Sequence, residues 1–317
     1  MTPQHHGPAL WPTPKALTPG STIAIISPAY PSAPEQLTQA EAFLSAKGFT
    51  PKRMPNAANH WRYMAGQDAE RLSDFNAALQ DPEVHAIWCA RGGYGCMRLL
   101  PLLDWDLIKQ HPKWLIGFSD VTVLQLAAYK HAGLISAYAP MLTSNLIDPE
   151  EQPETSWQQL QPLLLGPDAL PHVLNAHPEH YTCYHPGETE GILLGGNLSL
   201  VTALCGTPHL PDFRGKILFL EDWKESAHSL DRQFEQLRQA GVFDQLTALM
   251  LCDFSLISRS PHAPNLTEQA LFEDLVGGLD CPVGYGFRIG HCKAMGSLLQ
   301  GVRAHFNSQT GTLTLLK

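Results

Sequence analysis

Residues Trp114–Tyr129 read WLIGFSDVTVLQLAAY and join two patterns without a break. Trp114–Phe118 is a short apolar run typical of a buried strand, and Val121–Tyr129 continues as an apolar helix pattern. Ser119 stands between the two, so its hydroxyl is predicted to project from a strand-to-helix turn. The stretch therefore predicts a β–α unit with a serine at the carboxyl end of its strand.

The same alternation runs through the first half of the chain and predicts an α/β fold. The other elements predicted there are a strand at Thr22–Ser27, a helix from Pro34 that stops before Gly48, a helix at Asp68–Leu79, a strand at Val84–Ala90 and an apolar helix over Met97–Leu103. Such alternation is typical of a mostly parallel sheet with helices on both faces. Sites in these sheets form at the carboxyl ends of the strands, where Ser119 lies.

A change of composition divides the chain. From Ile147 to about Gly187 the sequence is rich in proline, polar residues and histidine and has no sustained period. We therefore predict an N-terminal α/β domain over residues 1–148, a linker over 149–187 and a C-terminal α/β domain over 188–317. Predicted in the last segment are strands at Gly191–Leu194, Lys216–Leu220, Leu246–Cys252, Pro282–Phe287 and Leu313–Leu316 and helices at Ser229–Ala240 and Thr267–Val276.

The bulk composition is that of a packed globular protein, with 317 residues, 44% hydrophobic and 16% charged. The formal net charge is -9, and no basic run offers the phosphate-binding surface of a nucleic-acid protein. The seven cysteines are odd in number and several lie in apolar runs, which indicates reduced thiols in a reducing compartment. No signal-peptide pattern opens the chain, and no segment reaches the roughly 18 apolar residues of a membrane span. We expect a cytoplasmic protein without a membrane partner.

A glycine loop, RGGYG, follows the strand predicted at Val84–Ala90. It lacks the Lys-Ser/Thr pair of a phosphate loop and the spacing of a dinucleotide loop. Glycines at this place allow the backbone to approach a ligand closely, so Gly92 or Gly93 could donate a backbone N–H to an oxyanion. A tight turn between strand and helix explains the same glycines.

Ser119 itself has two explanations. A strand-to-helix turn aims the next backbone N–H groups, beginning with that of Asp120, at an anion beside the hydroxyl, as in a nucleophile elbow. Val121, however, stands where the usual hydrolase motif has its second glycine. Ser119 or Asp120 acting only as the cap of the following helix is the alternative.

Two further stretches contain candidates for an acid and a base. Glu221 ends the apolar strand of ILFLEDWKES, where a partly buried carboxylate could orient a histidine, and Asp222 beside it fits the pattern equally well. His291 follows Gly290 in the glycine-rich loop of GYGFRIGHCKAMG. A loop histidine with a pKa near neutrality can take and return a proton.

Two other groups of residues have weaker patterns. His177, His180, Cys183 and His185 cluster in the predicted linker, but their spacing matches no established zinc motif, so we predict no metal site. Cys96 after the glycine loop is an alternative nucleophile, although a buried thiol is the commoner explanation of a cysteine at such a place.

Four segments in this order resemble the LD-carboxypeptidase family, which also contains microcin-immunity-type serine peptidases. They are RGGYGCMRLLPLLD, KWLIGFSDVTVL, GKILFLEDWKESAHSLDRQFEQL and the loop at Gly290-His291. Ser27-Pro28-Ala29 and GGNLSLVTALCGTP fit the family as well, so the resemblance extends from about Pro19 to the end. It implies a flavodoxin-like N-terminal parallel sheet with flanking helices and a smaller, β-rich C-terminal α/β domain, with the site across their interface.

The resemblance also implies roles for individual residues. Ser119 is the nucleophile, Glu221 the acid and His291 the base, with the backbone N–H groups of Gly93 and Asp120 as oxyanion donors. Family members are commonly homodimers and need no metal or cofactor. The sequence departs from the family pattern at Cys96, where a small residue is usual, and at Leu299-Gln300-Gly301, where the family usually has Leu-Pro-x-Gly.

The activity implied is release of terminal D-alanine from a murein tetrapeptide. Arg91 and Arg288 are candidates for binding the terminal carboxylate, since guanidinium pairs well with carboxylate, and Gly92 is expected beside them. The main rival is an immunity-type peptidase acting on an aminoacyl-nucleotide antibiotic, for which Trp223 could stack on the base. A non-catalytic protein that binds a small anion in its glycine loop is a further alternative. An ordinary esterase is disfavoured by Val121.

Overall fold

The structure is a computed structural model that describes residues 14–165, 170–258 and 262–317. Its strands are β1 Thr22–Ile26, β2 Thr50–Arg53, β3 Val84–Cys89, β4 Trp114–Gly117, β5 Ser136–Tyr138, β6 His172–Asn175, β7 Thr182–His185, β8 Glu188–Asn197, β9 Lys216–Trp223, β10 Ala248–Ser255, β11 Val283–Tyr285, β12 Leu298–Gln300, β13 Arg303–Asn307 and β14 Thr312–Leu315. Its α-helices are α1 Pro34–Ala46, α2 Asp68–Gln80, α3 Trp105–Gln110, α4 Thr122–Ala132, α5 Pro153–Leu164, α6 Leu198–Leu204, α7 Ala227–Gln239 and α8 Glu268–Val276. None of these helices is long and apolar enough to cross a lipid bilayer.

The first sheet has the order β12-β5-β4-β3-β1-β2. Its five strands from the N-terminal part of the chain are parallel, and β12 joins the edge antiparallel to β5. The order β2-β1-β3-β4-β5 is that of flavodoxin-like folds. All four residues of β4 are buried, as expected for a strand covered on both faces. The predicted fold class of this part is therefore confirmed.

The second sheet has the order β6-β14-β13-β8-β9-β10-β11-β7. Strands β8 to β11 are parallel, and antiparallel strands extend the sheet on both sides. The central strands β9 and β10 are almost continuously buried, which explains why their apolar runs could be identified from sequence. This is the predicted β-rich second α/β unit.

The predicted linker contains regular structure. Helix α5 lies there, and β6 and β7 form the two opposite edges of the second sheet. Both edge strands have four residues, too few for a clear alternation, and α5 contains Pro162, which weakens its helix pattern. Because β12 from the last part of the chain pairs in the first sheet, the chain also crosses back to that sheet after β11 and returns to the second sheet at β13. The boundaries at residues 148 and 187 stay predictions.

The prediction of an apolar helix over Met97–Leu103 is wrong. The structure has two short 3₁₀ turns there, Cys96–Arg98 and Leu100–Leu102. Pro101 has no N–H to donate, and its ring would clash with the carbonyl four residues earlier, so an α-helix cannot pass through this point.

Buried glutamines join the two sheets. The Gln300 side chain donates to Gln125 Oε1 at 3.0 Å and accepts from the backbone N–H of Gly195 at 3.2 Å. Gln125 in turn donates to the carbonyls of Gly117 and Ala137 at 3.1 and 2.8 Å. Gln300 therefore has a structural function at one of the positions where the sequence departs from the family pattern.

We expect Gly195→Ala to destabilise the fold through a clash with backbone. A Cβ at this position would lie 1.9 Å from the carbonyl oxygen of Phe219 on the neighbouring β9, an atom that cannot turn away. Overpacking of this kind costs about 3 kcal/mol of unfolding free energy. Gly206→Ala is the matched control, because its φ is also positive but no heavy atom lies within 4 Å of the added Cβ. Its cost should be about 1 kcal/mol of backbone strain. Urea denaturation that gave equal losses for both variants would contradict the explanation.

Candidate active site

Ser119 lies on a strained turn between β4 and α4. It begins a 3₁₀ turn over Ser119–Val121, and its φ is +60°, a value that side-chain-bearing residues seldom adopt. Such strain costs on the order of 1–3 kcal/mol and is typical of functional positions. Val121 fits here because Gly117 faces it: a Cβ on Gly117 would lie 3.1 Å from Val121 Cγ2. The second glycine of the usual motif is therefore not needed.

The predicted base and acid lie in line with the Ser119 hydroxyl. His291 Nε2 is 3.1 Å from Ser119 Oγ, and His291 Nδ1 is 2.7 Å from Glu221 Oε2. Ser119 comes from the first sheet, whereas Glu221 on β9 and His291 in the loop after β11 come from the second. A neutral imidazole that donates from Nδ1 to the carboxylate can accept the serine proton at Nε2. The structure thus brings the side chains of Ser119, His291 and Glu221 within hydrogen-bonding distance in this order.

Glu221 and its neighbour Asp222 have different partners. Glu221 is fully buried and accepts hydrogen bonds from Tyr138 Oη at 2.7 Å and Asn197 Nδ2 at 3.3 Å besides that of His291. Asp222 accepts from the N–H and hydroxyl of Ser199 at 2.9 and 2.8 Å and has no hydrogen bond to His291. Burial, followed by the nearby charge of Glu221, raises the pKa of Asp222 to about 6. Glu221 is therefore the carboxylate that contacts the histidine.

The imidazole of His291 is enclosed by aromatic rings and by Glu221. The Trp223 ring lies parallel to it with centroids 5.4 Å apart, and Phe118 meets it edge-on at 5.0 Å. Burial alone lowers the pKa of His291, but the charge and hydrogen bond of Glu221 outweigh burial and raise it above the ordinary value. Gly290 is required beside it, because a Cβ there would lie 2.4 Å from Glu221 Oε2.

Tyr138 connects Glu221 to Ser119 and was not predicted from the sequence. Its hydroxyl donates to Glu221 Oε1 and accepts from the backbone N–H of Ser119 at 3.3 Å. Burial raises the pKa of Tyr138 well above its ordinary value, so the hydroxyl stays protonated and able to donate. The residue lies on β5, a strand of three residues with too little pattern to be predicted.

The glycine loop lies against the nucleophile. A Cβ on Gly92 would lie 3.1 Å from Ser119 Cβ and 3.3 Å from Ser119 Oγ. Gly93 has φ +124° and packs so closely on Tyr30 that it could carry no side chain. The loop is held to the serine turn by Asp120, whose carboxylate accepts from the backbone N–H of Cys96 at 2.8 Å. Cys96 is fully buried, and burial raises the pKa of its thiol well above the ordinary value, which argues against a thiolate nucleophile.

A cavity of about 460 Å³ opens over Ser119 and His291. Of the predicted substrate-binding residues it contains Arg91, Gly92 and Trp223, whereas Arg288 is exposed, donates to the carbonyl of Lys293 at 2.8 Å and does not line it. The lining residues that the sequence analysis did not identify are Tyr30, Phe118, Met141, Ser144, Asn145 and Glu151. They come from segments without a chemical motif, and only the tertiary structure groups them.

The histidine-rich segment is separate from this cavity. The side chains of His177, Glu179 and His180 have potential ligand atoms within 4.8 Å of one another, and two of these residues are exposed. Cys183 and His185 lie on β7 and do not belong to the group. The chemistry of the Ser119 site draws on none of these residues.

Comparisons with known proteins agree with this architecture. The LD-carboxypeptidase N-terminal domain matches residues 23–139, and the LD-carboxypeptidase C-terminal domain matches residues 190–306. A probable murein peptide carboxypeptidase of Bacillus subtilis is 35% identical over 302 residues, which are 95% of this chain and 93% of the relative. The murein tetrapeptide carboxypeptidase of Pseudomonas aeruginosa is 32% identical over 273 residues, which are 85% of this chain and 87% of the relative.

Solved structures share the same fold. The muramoyltetrapeptide carboxypeptidase from Oxalobacter formigenes superposes with a TM-score of 0.85 at 29% identity, covering 93% of this chain and 99% of its own. A microcin C7 self-immunity protein in complex with aspartyl sulfamoyl adenosine superposes with a TM-score of 0.86 at 26% identity, covering 96% of this chain and 98% of its own.

We expect the charge of Glu221 to keep the pKa of His291 above its ordinary value. In Glu221→Gln the charge is lost while the burial of the ring stays, so the pKa should fall below that of the wild type. NMR titration of the labelled imidazole measures the change. Asp222→Asn is the control, because it removes a neighbouring charge that makes no hydrogen bond to the ring, and its shift should be smaller. Equal pKa values in wild type and Glu221→Gln would contradict this account.

We expect Tyr138→Phe to slow the reaction of Ser119 with a fluorophosphonate probe about tenfold, since hydrogen bonds to charged groups are the stronger ones. The variant removes a donor to Glu221 and the acceptor of the Ser119 N–H together. Tyr181→Phe makes the same chemical change on a hydroxyl that donates to the carbonyl of Ser308, away from the triad. If the labelling rate fell equally in both variants, the effect of Tyr138 would be on the stability of the fold and not on the reactivity of Ser119.

Proposed function

The chain belongs to the LD-carboxypeptidase family, which is a family of serine peptidases, and from this membership we propose that it releases terminal D-alanine from murein-derived tetrapeptides. The bond cleaved would join the carbonyl of an L-residue to the amino group of the D-alanine. The observation that carries the proposal is the hydrogen-bonded line from Ser119 through His291 to the buried Glu221. The names of the relatives from Pseudomonas aeruginosa and Oxalobacter formigenes support the choice of substrate.

In the proposed mechanism His291 removes the proton of Ser119 as the oxygen attacks the peptide carbonyl. Glu221 holds the imidazole in the required tautomer and stabilises the imidazolium that forms. The imidazolium then gives its proton to the departing amino group of D-alanine, and a water molecule hydrolyses the acyl-enzyme with His291 again as base. Both proton transfers use Nε2, the atom that faces the serine.

The tetrahedral oxyanion would be bound by the backbone N–H groups of Gly93 and Asp120. The glycine loop supports this role, because its backbone lies against Ser119 and Asp120 anchors it through Cys96. Each such donor typically contributes about 2.7–4 kcal/mol of transition-state stabilisation. Arg91 would bind the terminal carboxylate of the substrate, since it is the arginine that lines the cavity.

A second candidate is hydrolysis of an aminoacyl nucleotide. Trp223 favours it, because the indole lines the cavity with 42% of its surface exposed and could stack on a base. The fold shared with the microcin self-immunity protein supports the same candidate. Much of the ring is nevertheless already engaged, since it lies parallel to His291 and carries Lys224 Nζ 4.0 Å from its centroid. We therefore rank murein tetrapeptide first, and we retain the homodimer and the cytoplasm as proposals.

We expect the wild type to release D-alanine from murein tetrapeptide and Ser119→Ala to lose about 10⁶-fold in kcat, the usual effect of removing a serine nucleophile. Ser144→Ala is the matched control: it removes a hydroxyl from the same cavity that contacts Asn145 and no triad residue, so turnover should persist. D-Alanine is measured with a coupled oxidase. If the wild type left the tetrapeptide intact and hydrolysed aspartyl sulfamoyl adenosine, hydrolysis of an aminoacyl nucleotide would become the first candidate.

A further inference from the structure

Two opposite charges face the cavity over Ser119, and neither has a hydrogen-bond or ion-pair partner among the residues that the structure describes. Arg91 and Glu151 both line it. Among the described residues, the buried Nε of Arg91 donates to no partner, and the contact found for its guanidinium is with the ring of Tyr30, whose centroid lies 5.9 Å from Cζ. The Glu151 carboxylate makes no hydrogen bond or ion pair to any residue in the described ranges 14–165, 170–258 and 262–317.

An unpaired charge in a partly buried cavity is unfavourable until a ligand compensates it. A contrast nearby is Glu154 on the adjacent helix α5, which is paired with Lys47 at 2.5 Å. Glu151 is only partly exposed and yet has no such cation among the described residues. The cavity therefore has the charge pattern for a substrate that carries one carboxylate and one ammonium group.

The backbone of Glu151 is held close to the catalytic histidine loop. Its carbonyl accepts from the N–H of Ala294 at 3.0 Å, three residues after His291. Asp148 caps the same short turn by accepting from the N–H of Glu150 at 2.9 Å. The carboxylate is thus presented from a turn that is tied to the chain carrying the base.

We propose that Glu151 is a specificity residue that binds an ammonium group on the side chain of the residue that supplies the scissile carbonyl. The inference rests on the proposed function. Because the leaving D-alanine has only a methyl group and a carboxylate, the ammonium has to belong to the acyl portion. The residue before the terminal D-alanine of a murein tetrapeptide is a diamino acid, whose side-chain ammonium fits this requirement. Arg91 then remains available to bind the terminal carboxylate of the D-alanine.

The test compares two tetrapeptides that differ by one group, L-Ala-γ-D-Glu-L-Lys-D-Ala and the same peptide with L-norleucine in place of lysine. The wild type should cleave the lysine peptide with kcat/KM about tenfold higher, as expected for a charge-assisted hydrogen bond. Glu151→Gln should remove this preference through a higher KM for the lysine peptide and leave the norleucine peptide within about twofold. Glu150→Gln is the matched control, a neighbouring exposed carboxylate that does not line the cavity.

The outcomes separate the two proposals. If wild type and Glu151→Gln cleave both peptides equally, or if Glu151→Gln slows both alike, the role of Glu151 is wrong and the proposed function stands. If the wild type releases D-alanine from neither peptide, the proposed function fails and the role of Glu151 fails with it. If Glu151→Gln impairs only aspartyl sulfamoyl adenosine, whose ammonium lies beside the scissile carbonyl, the residue recognises an α-amino group and the side-chain assignment is overturned.

Discussion

The Glu221 carboxylate is fully removed from water, so the protein itself has to supply its hydrogen-bond donors. Those donors come from Tyr138 on β5, Asn197 at the end of β8 and His291 in the loop after β11. Tyr138 belongs to the first sheet, whereas Asn197 belongs to the second and His291 to the loop that follows β11. Because the carboxylate is fully hydrogen-bonded only when the sheets are packed together, association of the two sheets and assembly of the triad depend on the same buried group.

The surrounding backbone is shaped to let this group and the nucleophile approach their partners. A Cβ on Gly290 would collide with Glu221 and a Cβ on Gly92 would crowd Ser119, while Gly117 leaves space for Val121 beneath the serine turn. The strain at Ser119 is sustained because the strand before it is buried and the helix after it is packed. The arrangement of Ser119, His291 and Glu221 is thus an outcome of close packing, and the charges of Arg91 and Glu151 line the cavity above it.

Much of the fold could be predicted from the chain because its central strands are nearly continuous apolar runs, as β4, β9 and β10 show. The predictions failed where the pattern was short or interrupted. The three residues of β5 carry no usable period, and Pro101 breaks an apolar run that otherwise has the composition of a helix. At the site, the local patterns of Ser119, Glu221 and His291 each had another explanation, and it was the order of their motifs, through the resemblance to a known family, that predicted their roles.

The sequence by itself therefore determined most of the elements and the two-part α/β architecture, since local periodicity and turn chemistry are encoded over a few neighbouring residues. The tertiary structure showed that Glu221 and not Asp222 contacts His291, because adjacent side chains on one strand point to opposite sides. It also revealed Tyr138 and Glu151, which lie 83 and 70 residues before Glu221. No single sequence motif connects either residue to Glu221. Contacts between residues so distant along the chain depend on how the sheets pack, and no local pattern records that packing.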